Sequence, residues 1–196
     1  MNLKIITKLT MGLMVMLTGC SINEPAVSTY VVNSMPVVAK QASHRSTIYV
    51  AVPTALPMYN STDMAYTQHP YQVAYFAKSS WIATPAQMLQ PLMVQTLQNT
   101  GRFASVSSLY GSGQFDYLLQ TQILQFEQDY LSGHNVFHLR VRAQLIRSAT
   151  SQVVGSKDFI IDVPAPQDTP YGGVYAANTA TRDMLAELSA FTLKHS

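Results

Sequence analysis

The side chain in this chain best placed for covalent chemistry is its single cysteine, Cys20, which follows Leu17-Thr18-Gly19. A thiol is the nucleophile that forms a thioether, and the two side chains just before it, Thr18 and Gly19, are small. The other candidates are weaker. His134 and His138 stand four apart, but a zincin needs glutamate after the first histidine and a helix that puts both imidazoles on one face. Here that residue is Asn135 and the local period is a strand's, so the pair reads as a turn histidine and a solvated strand histidine. Asp158 and Asp162 share a strand face with Ile160 between them and could bring two carboxylates together. No second motif accompanies them, and they read as outward, solvated charges. Gly-x-Ser-x-Gly, Ser-x-x-Lys, P-loop and Gly-x-Gly-x-x-Gly signatures are missing, so no catalytic, metal or cofactor site is expected.

The residues before Cys20 explain its setting. Lys4 and Lys8 precede an apolar run from Leu9 to Leu17, followed by small residues, the order of an export signal. About nine apolar residues are too few to cross a bilayer core, which takes roughly 20. The end of the segment, Leu17-Thr18-Gly19-Cys20, resembles the bacterial lipobox, in which the thiol takes a diacylglyceryl group and the new amino terminus an acyl chain. Residues 1–19 then form a lipoprotein signal peptide, 20–29 a lipidated tether and 30–196 a single folded domain. Each buried methylene contributes about 0.8 kcal/mol, so several acyl chains on one residue hold a protein at a membrane where one barely would. The residue after the cysteine is Ser21 rather than aspartate, which resembles the sorting signal for the outer membrane.

Composition narrows the rest. One cysteine excludes disulfide scaffolds, Cys-based zinc fingers and iron–sulfur sites. Losing Lys4 and Lys8 with the leader leaves ten basic against ten acidic residues, which argues against nucleic acid as a partner, because that needs clustered cations to displace counterions.

Only nine residues separate Cys20 from the β-like run Tyr30-Val31-Val32, a reach of about 30 Å when fully extended. A linker-like stretch, 33–46, precedes a strand at Ile48 to Val52, ended by Pro53 and Pro57. The aromatic stretch from Tyr59 to Trp81 fits a hairpin of two short strands. Thr84-Pro85-Ala86-Gln87 is a capping box opening a helix with Met88, Leu89, Leu92, Met93 and Leu97 on one face, stopped at Asn99-Thr100-Gly101. A short strand around Val106 and a turn at Gly111-Ser112-Gly113 follow. From Asp116 the period becomes two, and 116–130, 135–147 and 152–163 read as an antiparallel meander. In its middle strand Phe137, Leu139, Val141, Ala143 and Leu145 face one way, and His138, Arg140, Arg142 and Gln144 the other. After a breaker-rich stretch, 164–173, the stripe Val174, Ala177, Thr181, Met184, Leu185, Leu188 and Phe191 gives a second amphipathic helix. The fold class is α+β: a mixed, largely antiparallel sheet with two amphipathic helices packed on one face.

Two surfaces are candidates for recognition. Arg140 and Arg142 share the wet face of the meander, where they keep it soluble or meet acidic head groups or a partner. Tyr59, Tyr66 and Tyr71 lie in a Pro- and Asn-broken region and are the expected exposed partner contacts, since aromatics are enriched at interfaces. Trp81, just before the helix cap, is expected to pack beneath the helix start.

The order of lipobox, β run at Tyr30, proline-ended strand, aromatic hairpin, Trp81, Thr84-Pro85 helix, Gly101-Arg102-Phe103, meander and terminal helix resembles the ABC-type transport auxiliary lipoproteins, the PqiC-like family. The resemblance runs from about Tyr30 to Leu193 and is strongest at Tyr75-Phe76-Ala77-Lys78-Ser79-Ser80-Trp81-Ile82-Ala83-Thr84-Pro85. It departs just after the tryptophan, where the family often has an acidic residue and this chain has Ile82 and Ala83. The resemblance implies a non-enzymatic outer-membrane component, facing the periplasm, that binds an MCE-domain protein of a phospholipid transport system and carries no cofactor beyond the lipid on Cys20. Self-association stays open. Alternative expectations are a regulator of envelope machinery such as peptidoglycan synthesis or secretion, an enzyme with an unrecognised site, or a body that itself binds lipid.

Overall fold

A computed structural model describes residues 26–109 and 114–196. The leader, Gly19, Cys20 and the expected turn at Gly111-Ser112-Gly113 lie outside the described residues. In chain order the elements are β1 (Ser28–Tyr30), β2 (Thr47–Val50), β3 (Thr54–Ala55), a 3-10 turn (Pro57–Tyr59), β4 (Asp63–Thr67), β5 (Ala74–Trp81), α1 (Pro85–Asn99), β6 (Ser105–Ser107), β7 (Tyr117–Asp129), β8 (Val136–Arg147), β9 (Gln152–Pro164) and α2 (Pro170–His195). The α+β expectation holds.

Strand β7 is the spine of one mixed sheet. Along one side it pairs antiparallel with β8, which pairs antiparallel with β9. Along the other side it takes β2, β3 and β4 in turn, all parallel. Pro53 and Pro57 cut this run into pieces because a proline offers no N–H to a ladder. The sheet widens beyond β2 through parallel β6, and beyond β4 through antiparallel β5 and then parallel β1.

Helix α1 begins as the capping box requires: Thr84 Oγ1 accepts the Gln87 N–H at 3.3 Å, and Gln87 Oε1 accepts the Thr84 N–H at 3.1 Å. Both helices pack on one face of the sheet, α1 near β2, β3 and β7, α2 on β8 and β9, and they touch each other. Under them lie Leu119, Ile123 and Phe126 of β7, the five inward residues of β8, Phe159 of β9, and Leu89, Met93, Leu97, Ala177, Ala180, Met184 and Leu185 of the helices, all buried. Trp81 is buried too, edge-on to Phe126, which meets Phe137 in the same way. Each such large apolar side chain contributes about 1.5–3 kcal/mol on burial.

Two expectations need correction. The breaker-rich stretch does not end at Gly173, because α2 starts at Pro170, with Thr169 Oγ1 accepting the Gly172 N–H at 3.0 Å. Its glycines answer close approach instead: a Cβ at Gly172 would lie 2.1 Å from the Gln167 carbonyl oxygen, and one at Gly173 1.9–2.4 Å from the Gln128 amide. The first β run is also displaced, to Ser28–Tyr30 rather than Tyr30–Val32. The backbone of Val31, Asn33 and Ser34 leaves the ladder to bond a side chain of α2.

Candidate functional site

That side chain is Asn178, and it fixes where the N-terminal segment joins the body. Its Oδ1 accepts the N–H groups of Asn33 and Ser34 at 3.0 and 3.1 Å, while Nδ2 donates to the carbonyls of Val31 and Val174 at 3.1 and 3.0 Å. The Tyr30 ring lies 6.0 Å from the Tyr171 ring, and the Tyr30 carbonyl accepts the Ile82 N–H at 2.8 Å. Strand, helix and the residue after Trp81 therefore grip the segment together. Sequence reading missed this clamp, whose one hint was an asparagine inside a helix, a residue whose amide competes for backbone groups.

The second surface is the wet face of β7, β8 and β9. Cross-strand register forms rungs of Gln122–Arg142–Asp158 and Glu127–His138–Asp162, with Gln125–Arg140–Ile160 between them. Arg142 binds Asp158 through two bonds, Nε to Oδ1 at 2.7 Å and Nη2 to Oδ2 at 2.8 Å. Arg140 reaches Asp162 at 2.7 Å and the Ile161 carbonyl at 3.0 Å. One ring nitrogen of His138 faces Asp162 and the other lies 3.2 Å from Asp129, while Gln125 donates to Glu127 at 2.7 Å. Asp158 and Asp162 do point outward and are half exposed, as expected, but each is paired across the strands with an arginine. A pleat places side chains of neighbouring strands opposite each other, and opposite charges there pair.

Pairing shifts the carboxyls. Hydrogen bonds from Arg142 hold Asp158 below the ordinary carboxylate value, against a little desolvation and with help from the guanidinium charge. Burial pushes Asp162 up, but the bonds and charges of His138 and Arg140 outweigh it and leave the group lowered. Because Arg140 and Arg142 already face carboxylates, the net field this face offers an acidic head group is small. A groove of about 450 Å³ beside it is lined by Val52, Thr54, Gln120, Gln122, Arg142 and Gln144, so its polar walls are amides, a hydroxyl and a guanidinium. Among the described residues, no group of three or more His, Cys, Asp or Glu is arranged to hold a metal ion. No helix among them is long and apolar enough to cross a membrane.

The three tyrosines are not brought together as one exposed patch. Tyr59 is buried, because the 3-10 turn folds it back toward β4 and β7, where burial and Glu127 push its phenol up. Tyr66 is half-buried, stacked on Phe76 at 4.3 Å and edge-on to Tyr130 at 6.3 Å. Tyr71 alone of the three is fully exposed, in the β4–β5 turn with φ 66°. Cys20 and Gly19 lie outside the described residues.

A spine strand carrying a meander on one side and parallel strands on the other, under two helices on one face, is a fold shared with solved proteins. A Xanthomonas campestris protein, 22% identical over 87% of this chain and 96% of its own, superposes with a TM-score of 0.74. An uncharacterised protein, 17% identical over 85% of this chain and 98% of its own, gives 0.66. A hypothetical protein from Chlamydia trachomatis, 7% identical over 77% and 99%, gives 0.51. At these identities the likeness concerns the fold alone. No curated protein matches the sequence. Family is decided by the sequence itself: residues 30–189 match the family of ABC-type transport auxiliary lipoprotein components, and the chain belongs to it.

Proposed function

We propose that the chain is a non-enzymatic outer-membrane lipoprotein of an MCE/ABC-type intermembrane phospholipid transport system, tethered by acyl groups on Cys20. In this reading it docks the periplasmic transport assembly, through an MCE-domain protein, to the outer membrane. Family membership supplies the transport context. The observation that carries the docking role is the Asn178 clamp, which fastens the end of a short tether to the longest helix of the body. A tether firmly seated in the fold transmits position, so the body is held at one height above the membrane. Acyl chains are costly to expose to water, and a sheltered path therefore needs its end fixed at the membrane. Tethering also raises the local concentration of the body without requiring a tight partner interface.

Cross-linking in the native envelope followed by pull-down tests this. Recovery of an MCE-domain protein with its permease and ATPase is the expected result. Recovery of cell-wall synthases alone would turn the reading to a regulator of peptidoglycan synthesis.

A further inference from the structure

Four large apolar or aromatic side chains stand exposed at the end of β1, where the segment that continues the tether is fastened to α2. Val31 follows β1 and is 43% exposed, Ile82 is 66% exposed, and Tyr171 and Tyr175 are each 63% exposed. They are neighbours through the contacts already described. The Ile82 N–H binds the Tyr30 carbonyl, the Tyr30 ring meets Tyr171, and Asn178 ties the Val31 carbonyl to that of Val174. Tyr171, Tyr175 and Asn178 follow one another at helical spacing, on one face of the first half of α2.

Single exposed apolar residues are ordinary on a protein surface, but a contiguous group marks a contact. Tether length decides what this group meets. Strand β1 begins at Ser28, so the free tether is the seven residues between Cys20 and Ser28, which reach about 25 Å at most. Helix α2, with 26 residues, is about 39 Å long. A tether shorter than the body, fastened beside the first turns of α2, cannot let the far end of that helix turn to the membrane. The tether-exit side therefore faces the lipid. Tyrosine suits that boundary, since its ring is apolar and its hydroxyl stays wet. None of the four side chains is charged, so contact strips no water from an ion.

We infer that the face formed by Val31, Ile82, Tyr171 and Tyr175 rests in the head-group region of the membrane that holds the lipid anchor, and so sets the orientation of the body. This rests on the lipidation of Cys20 in the proposed function. Once acylated, Cys20 has no free thiol, so a cysteine introduced elsewhere is the single site for a label.

The test uses the full, acylated chain in vesicles of phosphatidylethanolamine and phosphatidylglycerol, with a polarity-sensitive fluorophore at Ile82→Cys or at Tyr175→Cys. Ile160→Cys on β9 is the control, because Ile160 is as exposed, at 63%, on the opposite margin of the sheet. Melting curves confirm that each labelled variant is folded, and mass spectrometry reads the acyl groups on Cys20. Expected are a blue shift, quenching by spin-labelled lipid and several-fold protection from iodide at 82 and 175, with none of these at 160. Equal iodide access at all three positions in acylated protein would overturn the inference and leave the docking function standing. Protection without quenching by spin-labelled lipid would also overturn it, assigning the face to a second copy of the chain. An unmodified Cys20 would remove the inference and the proposed function together.

Discussion

Asn178→Ala removes the clamp without touching the sheet. The substitution deletes three hydrogen bonds to the N-terminal segment, from the N–H groups of Asn33 and Ser34 and to the carbonyl of Val31, together with one inside α2. A net hydrogen bond is worth about 0.5–1.5 kcal/mol, and water replaces part of each bond at this partly exposed site, so the three together give about 2 kcal/mol. Alanine returns about 0.5 kcal/mol through its better helix propensity. Global unfolding should move by only about 1.5 kcal/mol, whereas local release of residues 28–34 should become about 30-fold more frequent, at 1.4 kcal/mol per tenfold. Amide hydrogen exchange resolves the two effects. The amides of Asn33 and Ser34 are expected to exchange about 30-fold faster, while those of β8, which open only with the whole fold, speed up by about tenfold. Asn178→Asp keeps an acceptor for both amides and loses the donor to Val31, so it should protect Asn33 and Ser34 better than alanine does. Unchanged exchange at those two amides in Asn178→Ala, or identical behaviour of the two variants, would refute the idea that this side chain seats the tether.

Gly173→Ala should cost about 2–4 kcal/mol, read as a lowered melting temperature, because its Cβ would fall 1.9–2.4 Å from the amide of Gln128. That amide cannot step aside freely, since Gln128 is buried and accepts from Asn135 at 2.8 Å and from Tyr130 at 3.1 Å. Gly133→Ala, which meets no atom within 4 Å, should cost only the strain of its φ of +82°, about 1–2 kcal/mol. Acid should weaken the fold through Asp158 and Asp162. Their folded pKa values are lowered, so their contribution is complete above the ordinary value of 3.8 and is lost as the pH falls from there through the folded values. In denaturant titrations from neutral pH down to about pH 2.5, Asp158→Asn should flatten the acid limb of stability relative to the unsubstituted chain; a limb of unchanged steepness would show that the pair with Arg142 carries none of it.

Local patterns carried much of the fold. The capping box at Thr84 and Gln87 was legible because cap chemistry acts over four residues, and both its bonds are present. The meander was legible because a strand with one buried face writes its period into the chain: the alternation from Phe137 to Leu145 matches the burial found. Tyr59 and Tyr66, unlike the exposed Tyr71, were misread for the opposite reason. Tyr59 has the flanking prolines and asparagine of a surface loop, and only its distance to Glu127 and the core, set by a turn against β7, makes it interior.

By itself the sequence determined the period of each strand, the start of α1, the apolar stripes of both helices and the family match over residues 30–189, since each is written in neighbouring residues. Tertiary structure alone decided that β2, β3 and β4 line up in parallel along one spine, that Arg142 and Arg140 spend their charge on Asp158 and Asp162, and that Asn178 takes hold of a segment 144–147 residues away. These depend on which distant residues share a few ångströms, and hydrogen bonds and ion pairs carry no mark in the local pattern of either partner. The glycines at 172 and 173 belong to the same class: they read as helix breakers along the chain, but they stand in the first turn of α2, where Gln167 and Gln128 leave no room for a side chain.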